Sequence, residues 1–140
     1  MRRFGLSMLA VVGALGISLM AANEKPTVAM QEVMKSNAAT NTTARAAEKA
    51  NDYATLIKDA ATYRANLAYI DAYFSAHKMD AAATIAKGGL KGAMDLEAAA
   101  TAKDAAGVAK AMLAVTGTCG ACHKQFREQL ADKTYEIKLP

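Results

Sequence analysis

The sequence predicts an all-α protein folded as an antiparallel four-helix bundle, and three observations carry that reading. Alanine, the best helix former, dominates the chain, while β-branched runs and hairpin signals such as Asn-Gly are missing. Only two prolines occur, Pro26 and Pro140, and neither falls inside an element. Apolar residues recur at alternating spacings of four and three through the clearest segments. Four such faces are buried most simply by up-down packing with short connections.

The chain begins with a segment outside that bundle. Met1-Arg2-Arg3 is positive, residues 4–20 hold no charge, and Ala21-Ala22 offers small residues for cleavage. This is the layout of a secretory signal peptide over residues 1–22, which would send a domain of residues 23–140 to the periplasm. The alternative is an uncleaved membrane anchor, because the apolar run is just long enough to span a bilayer.

A first helix is expected over 27–48, with Val28, Met34 and Ala38 on or near one face. The second begins at Asp52 as N-cap and carries Leu56, Ala60, Tyr63, Leu67, Ile70 and Phe74. Residues 75–81 read as a connection containing His77. A third helix over 82–101 carries Ile85, Leu90, Met94 and Leu96 but also Gly88, Gly89 and Gly92. Those glycines fit either a loop or a place where a neighbouring backbone or flat ligand comes close. The fourth helix is expected over 104–132, with the inward stripe Val108, Met112, Val115, Cys119, Cys122 and Phe126.

Net charge is +4, and Arg2 and Arg3 of the leader supply half of that excess. The remaining domain is nearly balanced, which gives no reason to expect nucleic acid as a partner.

Chemistry concentrates in Cys119-Gly120-Ala121-Cys122-His123, which holds both cysteines of the chain. The pattern C-x-x-C-H is the attachment signature of a c-type haem. Two thiols add to the two haem vinyl groups, and the following histidine presents an imidazole to the iron. A thioredoxin-like dithiol would need a strand before the motif and a βαβ context. A zinc site would need two further Cys or His ligands, and His77 is the one histidine left over. One covalent haem c is therefore expected, held by Cys119 and Cys122 with His123 as iron ligand. No nucleophile–base constellation is visible, so an enzyme is not expected.

This late motif, in an exported alanine-rich helical chain, resembles class II cytochrome c, the cytochrome c′ family. Cys119 to Arg127 (CGACHKQFR) is similar to the family's C-x-x-C-H-x-x-[FY]-R ending, and the likeness spans about residues 26–133. It implies that Arg127 lies near the proximal face of the haem. Gln31-Glu32-Val33-Met34-Lys35 resembles the R-Q-x-x-M-K segment of the low-spin branch, which implies that Met34 is the distal iron ligand. Met30 stands where those relatives usually have arginine, and it supplies a second methionine one turn earlier. The family's aromatic anchor in the third helix has no counterpart, since the chain lacks tryptophan.

The resemblance implies electron transfer between exported redox proteins, with the sixth iron position filled. If Met34 serves as packing instead, it implies a five-coordinate binder of nitric oxide or carbon monoxide. Relatives often form homodimers through their first two helices.

Overall fold

The structure, a computed structural model, describes residues 23–139; the leader and its cleavage site lie outside the described residues. Four helices follow in order: α1 (Val28–Ala50), α2 (Tyr53–Ala76), α3 (Asp80–Thr101) and α4 (Ala105–Phe126). Each packs on the next, whereas α1 and α4 touch at few points.

The three helix connections are one turn repeated. Asn51, Lys78 and Lys103 adopt the left-handed conformation, with φ of 53°, 56° and 54°. The next residue then donates its N–H back across the helix end: Asp52 to Ala47, Met79 to Phe74 and Asp104 to Ala99, at 2.8–2.9 Å. These are Schellman closures, which satisfy carbonyls that a helix end leaves free. Asp52 and Asp104 also cap the following helix, accepting from the Thr55 and Gly107 N–H groups at 3.1 and 3.0 Å.

Lysine in the left-handed region is strained in a way that glycine is not. Lys103→Gly should therefore raise stability by about 1 kcal/mol in chemical denaturation, because relief of that strain exceeds the added freedom of the unfolded chain. The cap at Asp52 predicts a pH effect. Hydrogen bonds from Thr55 hold its carboxyl below the ordinary 3.8, so its contribution is full above that pH. It is lost as pH falls through the lowered value, and Asp52→Ala should blunt that acid-side loss in a thermal melt series.

The stripe foreseen on α2 is buried from Leu56 to Phe74 without exception. On α3 the glycines are helical. A Cβ on Gly89 would lie 2.8 Å from Thr118 Oγ1 and 3.1 Å from Leu67 Cδ2. One on Gly92 would meet Val115 Cγ2 at 3.1 Å and the Val115 backbone nitrogen at 3.2 Å. The glycines thus let α4 approach α3 closely, which sets the height of Cys119 one turn beyond Val115.

Two expectations are corrected. Helix α4 ends at Phe126 and not near Asp132, and α2 runs through 76 into what was read as a connection. Beyond α4 a small antiparallel hairpin forms, β1 (Arg127–Gln129) against β2 (Tyr135–Ile137). Lys133 turns it at φ 66°, and Asp132 accepts from the Thr134 N–H at 2.9 Å. Ile137 also exchanges both backbone hydrogen bonds with Glu24, at 2.7 and 2.9 Å, tying the two ends of the described chain together. These two short pairings satisfy backbone groups at this end of the chain and bury Ile137, while Tyr135 stays exposed.

Candidate functional site between α1 and α4

Because α1 and α4 stand apart, a cleft opens between them with α2 and α3 as its floor. It has two adjoining parts, of about 320 Å³ and 450 Å³, and Met34, Ala38, Cys122 and His123 line both. Both volumes suit a small-molecule or cofactor site. The first part adds Tyr63, Leu67 and Ile70 of α2, Ile85 and Ala86 of α3, and Cys119. The second adds Met30, Phe74, Phe126, Arg127 and the inner side of the hairpin at Tyr135 and Ile137.

The α4 stripe changes character where it enters the cleft. Val108, Met112 and Val115 are buried, but Cys119, Cys122 and Phe126 are half-buried. Phe126 reaches Phe74 across the floor, with ring centroids 6.3 Å apart. Gly120 faces open space, so nothing crowds the backbone between the cysteines. The side chain of Asn66 on α2 donates to Asn37 Oδ1 and Ser36 Oγ of α1, both at 2.9 Å, which pins α1 to α2 near the level of Met34.

Electrostatics in the cleft follow from burial. Desolvation pushes the Cys119 thiol up, and pushes Cys122 to about 11 with a further push from Cys119. Both are therefore thiols at neutral pH, opposite to the low-pKa nucleophile that a redox dithiol needs at a helix N-terminus. Their motif lies at the other end of α4. Burial, then the Arg127 charge, lowers the basicity of His123, which favours the neutral imidazole that ligates metals.

The other candidates separate cleanly. Met34 is half-buried and lines both parts of the cleft. Met30 is 2% exposed and belongs to the core, though its side chain also borders the second part. Met112 and Met79 are buried in the core, and Met94 is exposed on the surface. His77 ends α2, its Nδ1 2.7 Å from the Tyr73 carbonyl and its ring stacked on Tyr73 at 4.2 Å. It does not line the cleft. Among the described residues no three His, Cys, Asp or Glu side chains converge, so the cysteine pair finds no partners for a zinc site. Arg127 lies at the rim with its guanidinium 4.5 Å over the Tyr135 ring. It begins the hairpin and does not continue the helix.

Sequence reasoning missed Tyr63 as a lining residue, along with Asn37, Asn41 and Arg45 of α1. A signal existed. Asn37, Asn41 and Arg45 continue the face of Met34 at helical spacing, where polar groups interrupt an otherwise apolar site.

Helix α4 has an 18-residue window of mean hydropathy 1.3, so by length and composition it passes as a membrane span. Its glycine-mediated packing on α3 and its cleft-facing stripe give that apolar character a use within the bundle. Comparison with protein-family models, with curated proteins and with solved structures found no match.

Proposed function

We propose that this chain is an exported, monohaem c-type cytochrome of the class II kind that transfers electrons in the periplasm. One observation carries the reading: Cys119, Cys122 and His123 of α4 line the same cleft as Met34 of α1. The fit is one of donors as well as space. The cleft brings together two thiols, a neutral-leaning imidazole, a thioether and largely apolar walls, with the cations Lys35 and Arg127 among the residues of its second part.

When bound, haem supplies a one-electron iron couple. Cys119 and Cys122 would each hold it by a thioether, the sulfur adding to one vinyl carbon and the thiol hydrogen to the other. His123 would offer an imidazole nitrogen to the iron from α4. Met34, across the cleft on α1, would offer its thioether to the iron, a donor that favours the ferrous state and raises the potential. Leu67, Ile70, Phe74 and Phe126 would give the group an apolar wall, a lower-dielectric setting for its change of charge. Arg127, stacked over Tyr135, would set a positive charge at the rim near the His123 side of the group.

With His123 and Met34 both engaged by the group, the chain would act as an electron carrier. Its partners are redox proteins that dock transiently through small interfaces. A homodimer through α1 and α2 belongs to the same reading, and membrane attachment arises only where the leader is retained. The visible spectrum of the purified protein tests it. A low-spin oxidised form, with a reduced form that resists carbon monoxide, is expected. A high-spin oxidised form that binds carbon monoxide readily once reduced would assign the open-site alternative, a binder of small gases.

A further inference from the structure

Tyr63 Oη is the one side-chain polar atom among the described residues that is fully enclosed without a hydrogen-bond partner. Tyr63 itself is 1% exposed and lines the Cys119 part of the cleft. Enclosing a hydroxyl unpartnered costs about 1–3 kcal/mol, and buried tyrosine hydroxyls are normally satisfied. Desolvation raises its pKa far above the ordinary value, so the group is an O–H donor at any physiological pH. Asp59, one turn earlier on α2, does not take that hydrogen and accepts from Thr43 Oγ1 at 2.8 Å.

The same part of the cleft is lined by Asn37, Asn41 and Arg45, spaced four residues apart on α1. Arg45 Nε donates to Asn41 Oδ1 at 3.1 Å, which braces the guanidinium through one nitrogen. No described carboxylate pairs with its remaining donors. Asn37 Oδ1 is taken by Asn66, so its amide nitrogen is the end left to donate. A braced guanidinium, an enclosed hydroxyl donor and an amide donor, beside walls of Leu67, Ile70 and Ile85, are complementary to a carboxylate on an apolar body.

We infer that Tyr63 and Arg45, the latter held by Asn41, form a carboxylate-binding site at the α1–α2 side of the Cys119 cleft. Two sources supply that chemistry. One is a propionate of the covalently held haem, which rests on the function proposed above. The other is a free carboxylate from solution, which does not.

Tyr63→Phe, Arg45→Gln and Arg45→Lys distinguish the sources. For the haem's own carboxylate, resonance Raman of the haem-bearing protein should show the propionate bending band shifted in Tyr63→Phe and Arg45→Gln. Loss of the cation disfavours the ferrous state, so Arg45→Gln should lower the reduction equilibrium constant by up to about tenfold, or 59 mV for one electron. Arg45→Lys should recover part of that change, and added butyrate should do nothing. For a free carboxylate the band stays fixed. Calorimetry should then register millimolar butyrate binding to the wild type, about tenfold weaker in Tyr63→Phe and in Arg45→Gln. If neither the band nor butyrate binding responds to either variant, the proposal is overturned. If the protein bears no haem by mass, the electron-transfer reading fails, and butyrate calorimetry on the haem-free chain alone decides this one. Arg45 is exposed, so Arg45→Gln gives a result even if Tyr63→Phe folds poorly.

Discussion

Replacing Met34 by alanine should convert the oxidised protein from a low-spin to a high-spin spectrum and let the reduced protein bind carbon monoxide. The reasoning rests on position. Met34 lines the cleft opposite α4 and is only half-buried, with its side chain presented to the space that His123 also faces. On the proposed reading, alanine removes the thioether that α1 offers to the iron. On the same reading the reduction potential should fall as well, because the thioether that favours the ferrous state would be gone. Met30→Ala is the matched control. Met30 is fully packed in the core, so its loss should leave the spectrum low-spin while costing about 2–5 kcal/mol of stability. A reversed outcome, with Met30→Ala changing spin state and Met34→Ala not, would move the ligand one turn along α1.

The second large effect concerns the contact that sets the site's height. Gly92→Leu should destabilise the fold by about 3 kcal/mol or more in a denaturant melt, since a Cβ already meets Val115 side chain and backbone nitrogen at 3.1 and 3.2 Å. A side chain can rotate away, but a backbone nitrogen in mid-helix cannot. Helix α4 would have to move outward and carry Cys119 and Cys122 with it, so haem content should fall along with stability. Gly117→Ala offers the contrast on α4 itself. Nothing lies within 4 Å of a Cβ there, and alanine should stabilise by about 1 kcal/mol through helix propensity alone. Equal effects at the two glycines would mean that the close approach of α3 and α4 is not what places the cysteines.

Much of this fold was legible because its signals are periodic. The α2 stripe from Leu56 to Phe74 reads directly from spacing, and every member is buried. The α4 stripe likewise led from Val108 into the C-x-x-C-H motif, and the structure sets its last members at the cleft and not in the closed core. What escaped was aperiodic. Lys78 and Lys103 occupy turns where glycine is the usual signal, so nothing in their type marks a left-handed residue. The hairpin after Phe126 has strands of three residues each, too short for alternation to stand out among charged, helix-compatible neighbours. Its partner Glu24 lies more than a hundred residues away in sequence, beyond the reach of any local pattern. For the glycines of α3, composition left two meanings open, and only the distances to Thr118 and Val115 chose between them. Tyr63 was read correctly as a buried stripe member, but its orphaned hydroxyl depends on neighbours from α1 that sequence does not bring together.

The central claim is covalent, and intact-protein mass spectrometry of the chain exported from a cell with c-type maturation machinery tests it most directly. The account predicts one haem mass added to the mature chain, retained under denaturing conditions and lost from the double variant Cys119→Ala, Cys122→Ala. An exported chain whose mass equals the polypeptide alone would contradict it.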